Sequence, residues 1–223
     1  MATVEIFSAE VCPYAHRTRL VLMYKNVDFS LTEIDLKNKP AWFKEVSPYG
    51  KVPSIRHDGR IVYESAIVNE YLDEVFPMPA LMPATPHGRA MARAWVDYGN
   101  TRFNVASYSL VRETDSAAQG ALRDELDACL LFMENEGMRK LGDGPYWLGA
   151  EPSLVDFSYY PFFERFCNVE HYRDYTIPAA CTRIRAWIDT MKDMPIVREI
   201  ANPPAFYIER AKAYAAPDRQ AAE

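Results

Sequence analysis

The chain has 223 residues, 49% of them hydrophobic, with 25 basic and 31 acidic side chains and a net charge of −6. That length allows one large domain or two small ones, each with a real core. A mildly acidic chain without a long run of one charge carries no footprint for nucleic acid or an anionic membrane, so neither is expected as a partner.

No apolar stretch approaches the roughly 20 residues of a bilayer span. The opening MATVEIFSAEVC has Glu5 inside its short apolar run and no basic leader region, which points to a cytoplasmic protein. Cys12, Cys129, Cys167 and Cys181 are scattered, with neither a CxxC pair nor Cys/His ligand spacing, so no metal site and no disulfide framework is expected.

TVEIF (residues 3–7) reads as a strand. The CPYAHRTRLVLMYK that follows reads as an amphipathic helix with Pro13 in its first turn, where proline costs nothing. FSLTEIDL (29–36) alternates as a second strand, a short helix is predicted around Pro40 to Glu45, and VPSIRHDGRIVY reads as a hairpin turned at Asp58–Gly59. ESAIVNEYLDEVF sets Ala66, Ile67, Tyr71, Leu72 and Val75 near helical spacing. The order β-α-β-α-β-β-α over residues 1–76 predicts a small α/β domain with a mixed sheet.

Residues 77–87 read as a linker, because Pro77, Pro79, Pro83 and Pro86 crowd a stretch that neither helix nor central strand absorbs. From 88 to 223 the periodicity is helical (88–112, 116–140, 154–168 and 178–193), which predicts an all-α domain. LGDGPYWLGAEP (141–152) reads as a loop inside it. SLVD (153–156) reads as a capping-box variant with Ser153 at the N-cap and Asp156 at N3, and AYAAPDRQAAE (213–223) as a frayed end.

Cys12 stands just before a helix, where unpaired N–H groups and the positive end of the macrodipole lower a thiol's pKa from about 8.5 to as little as roughly 3.5–7.5. Position alone leaves two readings open, a reactive thiol and a small packed residue at a helix entry. Without a second cysteine in CPYA, a resolving thiol must come from outside the motif. His16, four residues on, shares the helix face but reads as an exposed or interface histidine rather than a catalytic one. Val52–Pro53 before a strand offers a backbone that an extended peptide can pair with if the bond is cis, and an ordinary edge-strand proline if it is trans. Glu64 and Ser65 open a helix with groups suited to an ammonium and a carboxylate, the two charges of an amino-acid head group; read blandly they are a solvated acid and an N-cap. Lys37 and Lys39 lie on a loop, where either suits a second carboxylate.

A cysteine at a helix start, VP before a strand and ES at the next helix start, in this element order and followed by a proline-rich linker and helices, resembles a cytosolic glutathione transferase over nearly the whole chain. CPYAHRTRLVL, LKNKPAWF and YESAIVNEYLDEVFP resemble the omega class, and PSLVDFSYYPFFERF and RAWIDTMKDMP keep its pattern more loosely. The resemblance implies a thioredoxin-like N-terminal domain, an all-α helical-bundle C-terminal domain and a homodimer. Glutathione is implied as co-substrate, with no metal and no nucleotide. Cys12 is then catalytic, Lys39 meets the glycine carboxylate of glutathione, the Val52 backbone pairs with its cysteinyl unit beside a cis Pro53, and Glu64 and Ser65 hold the γ-glutamyl head.

The implied activity is thiol transfer and glutathione-dependent reduction, including deglutathionylation and dehydroascorbate reduction, through a mixed disulfide on Cys12. The alternatives are dehalogenase, lyase or glutathionyl-hydroquinone-reductase-like chemistry on aromatic thioethers, and, from another class, a non-catalytic regulatory protein of the stringent starvation type. A second-substrate site is expected between Cys12 and the helical domain. Its candidates are Tyr14, Phe103, Tyr108, Arg112, Tyr160, Phe163 and Trp187, of which two or three are expected to line a pocket and the rest to serve as core. The chain departs from the animal omega pattern in having no extension before the first strand and in carrying His16 where an acidic or amide residue is common.

Overall fold

A computed structural model describes residues 4–216; Thr3 of the predicted first strand and residues 217–223 of the predicted frayed end lie outside the described residues. The chain forms two compact units, one running to Ala92 and taking in Pro152–Pro161, the other made of Arg93–Glu151 and the chain from Phe162 onward.

The first unit runs β1 (Val4–Ser8), α1 (Pro13–Tyr24), β2 (Phe29–Glu33), α2 (Phe43–Val46), β3 (Ser54–His57), β4 (Arg60–Tyr63) and α3 (Ser65–Val75). The sheet order is β2-β1-β3-β4, with β1 parallel to β2 and antiparallel to β3, and β3 antiparallel to β4. This is the mixed sheet expected from the element order. The β3–β4 hairpin turns where the sequence places it, with Asp58 at φ +48° and Gly59 at φ +74°. A two-residue turn that matches strand twist demands positive φ at both positions, which Asp-Gly accepts.

Two expectations about the helices need correction. α1 is not amphipathic, because every residue from Ala15 to Leu22 is buried. Two of its polar side chains find partners on α3: Thr18 Oγ1 donates to Asn69 Oδ1 across 2.8 Å, and Arg17 donates to Ser65. For the same reason the buried side of α3 carries Ser65, Val68, Asn69, Leu72 and Asp73, while Ile67 is 60% exposed.

The proline-rich segment is anchored rather than loose. The buried Lys25 ammonium lies 2.7 Å from the Asp73 carboxylate and donates to Phe76 O (2.7 Å) and Pro79 O (2.8 Å). Asp73 in turn accepts the N–H groups of Leu81 and Met82 at 2.8 and 3.1 Å.

α4 (Pro86–Tyr98) passes through a π-helical turn, Gly99–Phe103, into α5 (Asn104–Arg112). α6 (Ser116–Phe132) likewise passes through Met133–Met138 into α7 (Arg139–Leu141). Then follow α8 (Leu154–Glu164), α9 (Cys167–Arg173), α10 (Thr182–Asp193), α11 (Pro195–Ile200) and α12 (Pro204–Ala215). The start of α8 belongs to the first unit, since Leu154 N donates to Leu81 O at 3.0 Å and the Phe157 ring packs on Tyr24. Asp156 accepts both the backbone N–H and the hydroxyl of Ser153, at 2.8 and 2.7 Å, the reach-back expected of the capping box. α11 and α12 were not anticipated, and α12 carries residues 213–215 of the predicted frayed end. Pro195 and Pro204 look like breakers in sequence but occupy first-turn positions, where no intrahelical bond is lost.

Candidate functional site

Cys12 caps α1 from an extended conformation, φ −84° and ψ 117°, with Pro13 opening the helix behind it. Its N–H donates to Ala9 O at 3.0 Å and its carbonyl accepts His16 N–H at 2.9 Å, which holds the residue at the positive end of the helix. The half-buried thiol donates to Val52 O across 3.9 Å, bringing together the two features the sequence singles out forty residues apart. The Val52–Pro53 bond is cis, and Met78–Pro79 is cis as well.

Val52, Pro53, Glu64, Ser65 and Tyr14 line one cleft of about 240 Å³ in the first unit. Ser47, Tyr49, Lys51 and Tyr63 complete its wall, and sequence reasoning named none of these. Glu64 is exposed and held at φ +68°, ψ +106°, a backbone region that a side-chain-bearing residue enters at a cost of about 1–3 kcal/mol. Strain of this kind is tolerated where surrounding structure imposes it, here between the end of β4 and the start of α3. Lys39 stands beside the cleft, its ammonium donating to Gly50 O at 2.9 Å on the loop that leads to Val52.

Arg17 is the principal residue that sequence reasoning missed. Its guanidinium is buried, donates from Nε to Ser65 Oγ at 2.9 Å, donates to the same oxygen from Nη2, and lies 5.0 Å over the Tyr14 ring. Burial pushes it down to about 10, opposed by the nearby Tyr14, Cys12 and Glu64, so it remains a cation at neutral pH. The available signal was the i, i+3 spacing of Tyr14 and Arg17 in the first turns of the helix that Cys12 caps. His16 corrects the other way: it is fully buried, so of the two roles expected of it, exposed or interface, the exposed one does not hold.

The other cysteines are set apart by their surroundings. Cys129 and Cys181 are buried and Cys167 half-buried. Burial raises the Cys129 thiol and pushes Cys167 and Cys181 up to about 11, with Glu170 and Glu164 adding at Cys167 and Glu134 at Cys181.

Four of the seven second-substrate candidates are core residues. Phe103, Phe163 and Trp187 form a packed chain in the second unit, ring centroids 4.8 Å apart for Phe103–Phe163 and 5.3 Å for Phe163–Trp187, and Trp187 continues edge-on to Trp147. Tyr160 is buried on α8. These rings are bulky and apolar, and the interior claims them first. Tyr14 remains at the cleft, and Tyr108 and Arg112 form an exposed pair in the second unit, with the guanidinium 5.4 Å from the ring centre. Among the described residues no helix is long and apolar enough to cross a membrane, and no cluster of His, Cys, Asp and Glu suits a metal.

Comparison with known proteins places both units in one context. Residues 11–75 match the family model of the glutathione S-transferase N-terminal domain, and residues 112–190 that of the glutathione S-transferase C-terminal domain. Protein IN2-1 homolog A of Oryza sativa subsp. japonica is 33% identical over 218 residues, covering 95% of this chain and 86% of the rice protein. Glutathione S-transferase omega-2 of Rattus norvegicus is 33% identical over 203 residues, 87% of this chain and 77% of the rat protein. Among solved structures, rice GST1 (OsGSTU1) in complex with glutathione superposes with a TM-score of 0.84 at 26% identity, over 95% of this chain and 96% of that one.

Proposed function

Because the chain belongs to the glutathione transferase family and is omega-like in sequence, we propose that this enzyme is a glutathione-dependent thiol transferase and reductase with Cys12 as its nucleophile. The observation that carries this reading is the Cys12 thiol at the start of α1, against the Val52 carbonyl at the edge of a cleft that also holds Glu64 and Ser65. Glutathione lies along that cleft as an added strand: Glu64 and Ser65 take its γ-glutamyl head, the Val52 backbone pairs with its cysteinyl unit, and Lys39 meets its glycine carboxylate. This register brings the glutathione sulfur to Cys12.

The Cys12 thiolate attacks the glutathione sulfur of a mixed disulfide. A Cys12–glutathione disulfide forms, and the substrate leaves as a thiolate that takes a proton from water. A second glutathione, as thiolate, attacks the glutathione sulfur of that disulfide, which frees Cys12 and yields glutathione disulfide. For an oxidised acceptor such as dehydroascorbate, two glutathiones supply the two electrons and two protons and leave as the disulfide.

Cys12→Ser tests the proposal. A serine hydroxyl cannot form the mixed disulfide, so thiol transfer and dehydroascorbate reduction vanish, while glutathione still binds through Val52, Lys39, Glu64 and Ser65. Retained thiol-transferase activity in the serine variant overturns the mechanism.

A further inference from the structure

Ser65 begins α3, yet the partner of its hydroxyl comes from α1. Both Nε and Nη2 of Arg17 donate to Ser65 Oγ. A serine hydroxyl has two lone pairs and one proton, and a guanidinium has donors only. With two N–H groups converging on one oxygen, its acceptor capacity is spent, and the proton is all that Ser65 still has to offer. Ser65 lines the cleft, so that offer is made to a ligand there.

We propose that Arg17 is a positioning residue that fixes the polarity of Ser65, turning its hydroxyl into an obligate donor so that, with the first-turn N–H groups of α3, this wall of the cleft presents donors only and favours a carboxylate, which accepts at both oxygens, over an amide, whose NH2 finds no acceptor there. The proposal rests on the reading that Glu64 and Ser65 hold the γ-glutamyl head group. Two further observations support it. Arg17 is 2% exposed and its guanidinium lies 5.0 Å over the Tyr14 ring, so it has no freedom to release Ser65 to solvent. It also keeps its charge at neutral pH, with Tyr14, Cys12 and Glu64 as the titratable groups acting on it, so the polarity it imposes is the same across the working range. Glu64, the preceding residue, is as a carboxylate an acceptor only. Consecutive residues therefore present an acceptor-only and a donor-only group, the complement of the ammonium and carboxylate that a single α-amino acid head carries.

The test is calorimetric binding of two probes to the full chain: glutathione, and an analogue whose γ-glutamyl α-carboxylate is converted to the amide. Wild type should favour glutathione by at least tenfold. Ser65→Ala should lose roughly tenfold in glutathione affinity and most of that discrimination. Arg17→Gln should do the same, because a glutamine oxygen can accept the serine proton and reverse its direction. The double variant should be no worse than either single one. Arg17→Lys, with a single ammonium replacing the two-pronged fork, should fall between wild type and Ser65→Ala.

Additive losses in the double variant, or undiminished discrimination in Arg17→Gln, overturn the proposal and leave Arg17 as a packing residue. Should Arg17→Gln fail to fold, Arg17→Lys decides, and wild-type discrimination there is the overturning result. Unchanged glutathione affinity in Ser65→Ala instead refutes the head-group reading itself.

Discussion

Glutathione disulfide at pH 7 offers four cysteines the same reaction, and the structure says how unequally they should answer. Cys167 and Cys181 are held up to about 11. A thiol there is about one part in ten thousand ionised at pH 7, against about 3% for a thiol at the ordinary value near 8.5, a gap of roughly 300-fold. The more basic thiolate is the better nucleophile, and a Brønsted coefficient of about 0.4–0.5 returns roughly tenfold of that gap. Even an unassisted thiol is therefore favoured by roughly 20-fold, before the positive end of α1 acts on Cys12 and before burial closes access to Cys181. Intact-protein mass spectrometry should show one glutathionyl group, mapped by peptide digestion to Cys12, and none on Cys12→Ser at the same exposure. Raising the pH above about 8.5 should erode the selectivity, since ionisation of Cys167 and Cys181 grows tenfold per pH unit up to about 11 while a thiol at or below the ordinary value of about 8.5 has saturated. Label spread over all four cysteines at pH 7 would refute the assignment of Cys12 as the distinctive thiol.

Glu64 combines strain with a binding role, so one substitution should separate them. Glu64→Gly relieves the positive φ, a gain of about 1 kcal/mol that raises the melting temperature by roughly 2–4 °C in a chain of this size. Removing the carboxylate should lower glutathione affinity by up to about fivefold, since Glu64 is exposed and an exposed charge pair is worth about 0.2–1 kcal/mol. Glu64→Gln should show the affinity loss without the stability gain, and an unchanged dissociation constant by calorimetry would leave Glu64 a solvated residue. Asp73→Asn strands the buried Lys25 ammonium and is expected to cost about 3–5 kcal/mol in urea unfolding, whereas a loss below about 1 kcal/mol would show that the carbonyls of Phe76 and Pro79 suffice to hold that charge.

The features the sequence discloses are those whose cause is local. Asp58–Gly59 turns the hairpin because two adjacent residues tolerate positive φ, Pro13 opens α1 because its nitrogen has no hydrogen bond to lose, and Ser153 and Asp156 meet because they lie one helical turn apart. α1 could not be read this way. Judged along the chain, Arg17, Thr18 and Lys25 mark an outward face; judged in three dimensions they turn inward, because α3, some fifty residues later, supplies Ser65, Asn69 and Asp73 as partners. A polar residue on a helix is therefore ambiguous until its neighbour is known, and that neighbour is chosen by the order of the sheet. The order β2-β1-β3-β4 returns the chain past β1, and the next helix packs beside α1. The same return brings Glu64 and Ser65 to the cleft that Val52 lines at the mouth of α1. The pairing that hides Arg17 from a linear reading and the convergence that builds the site thus have one topological cause, and a substitution that loosened α1 from α3 should disturb both together.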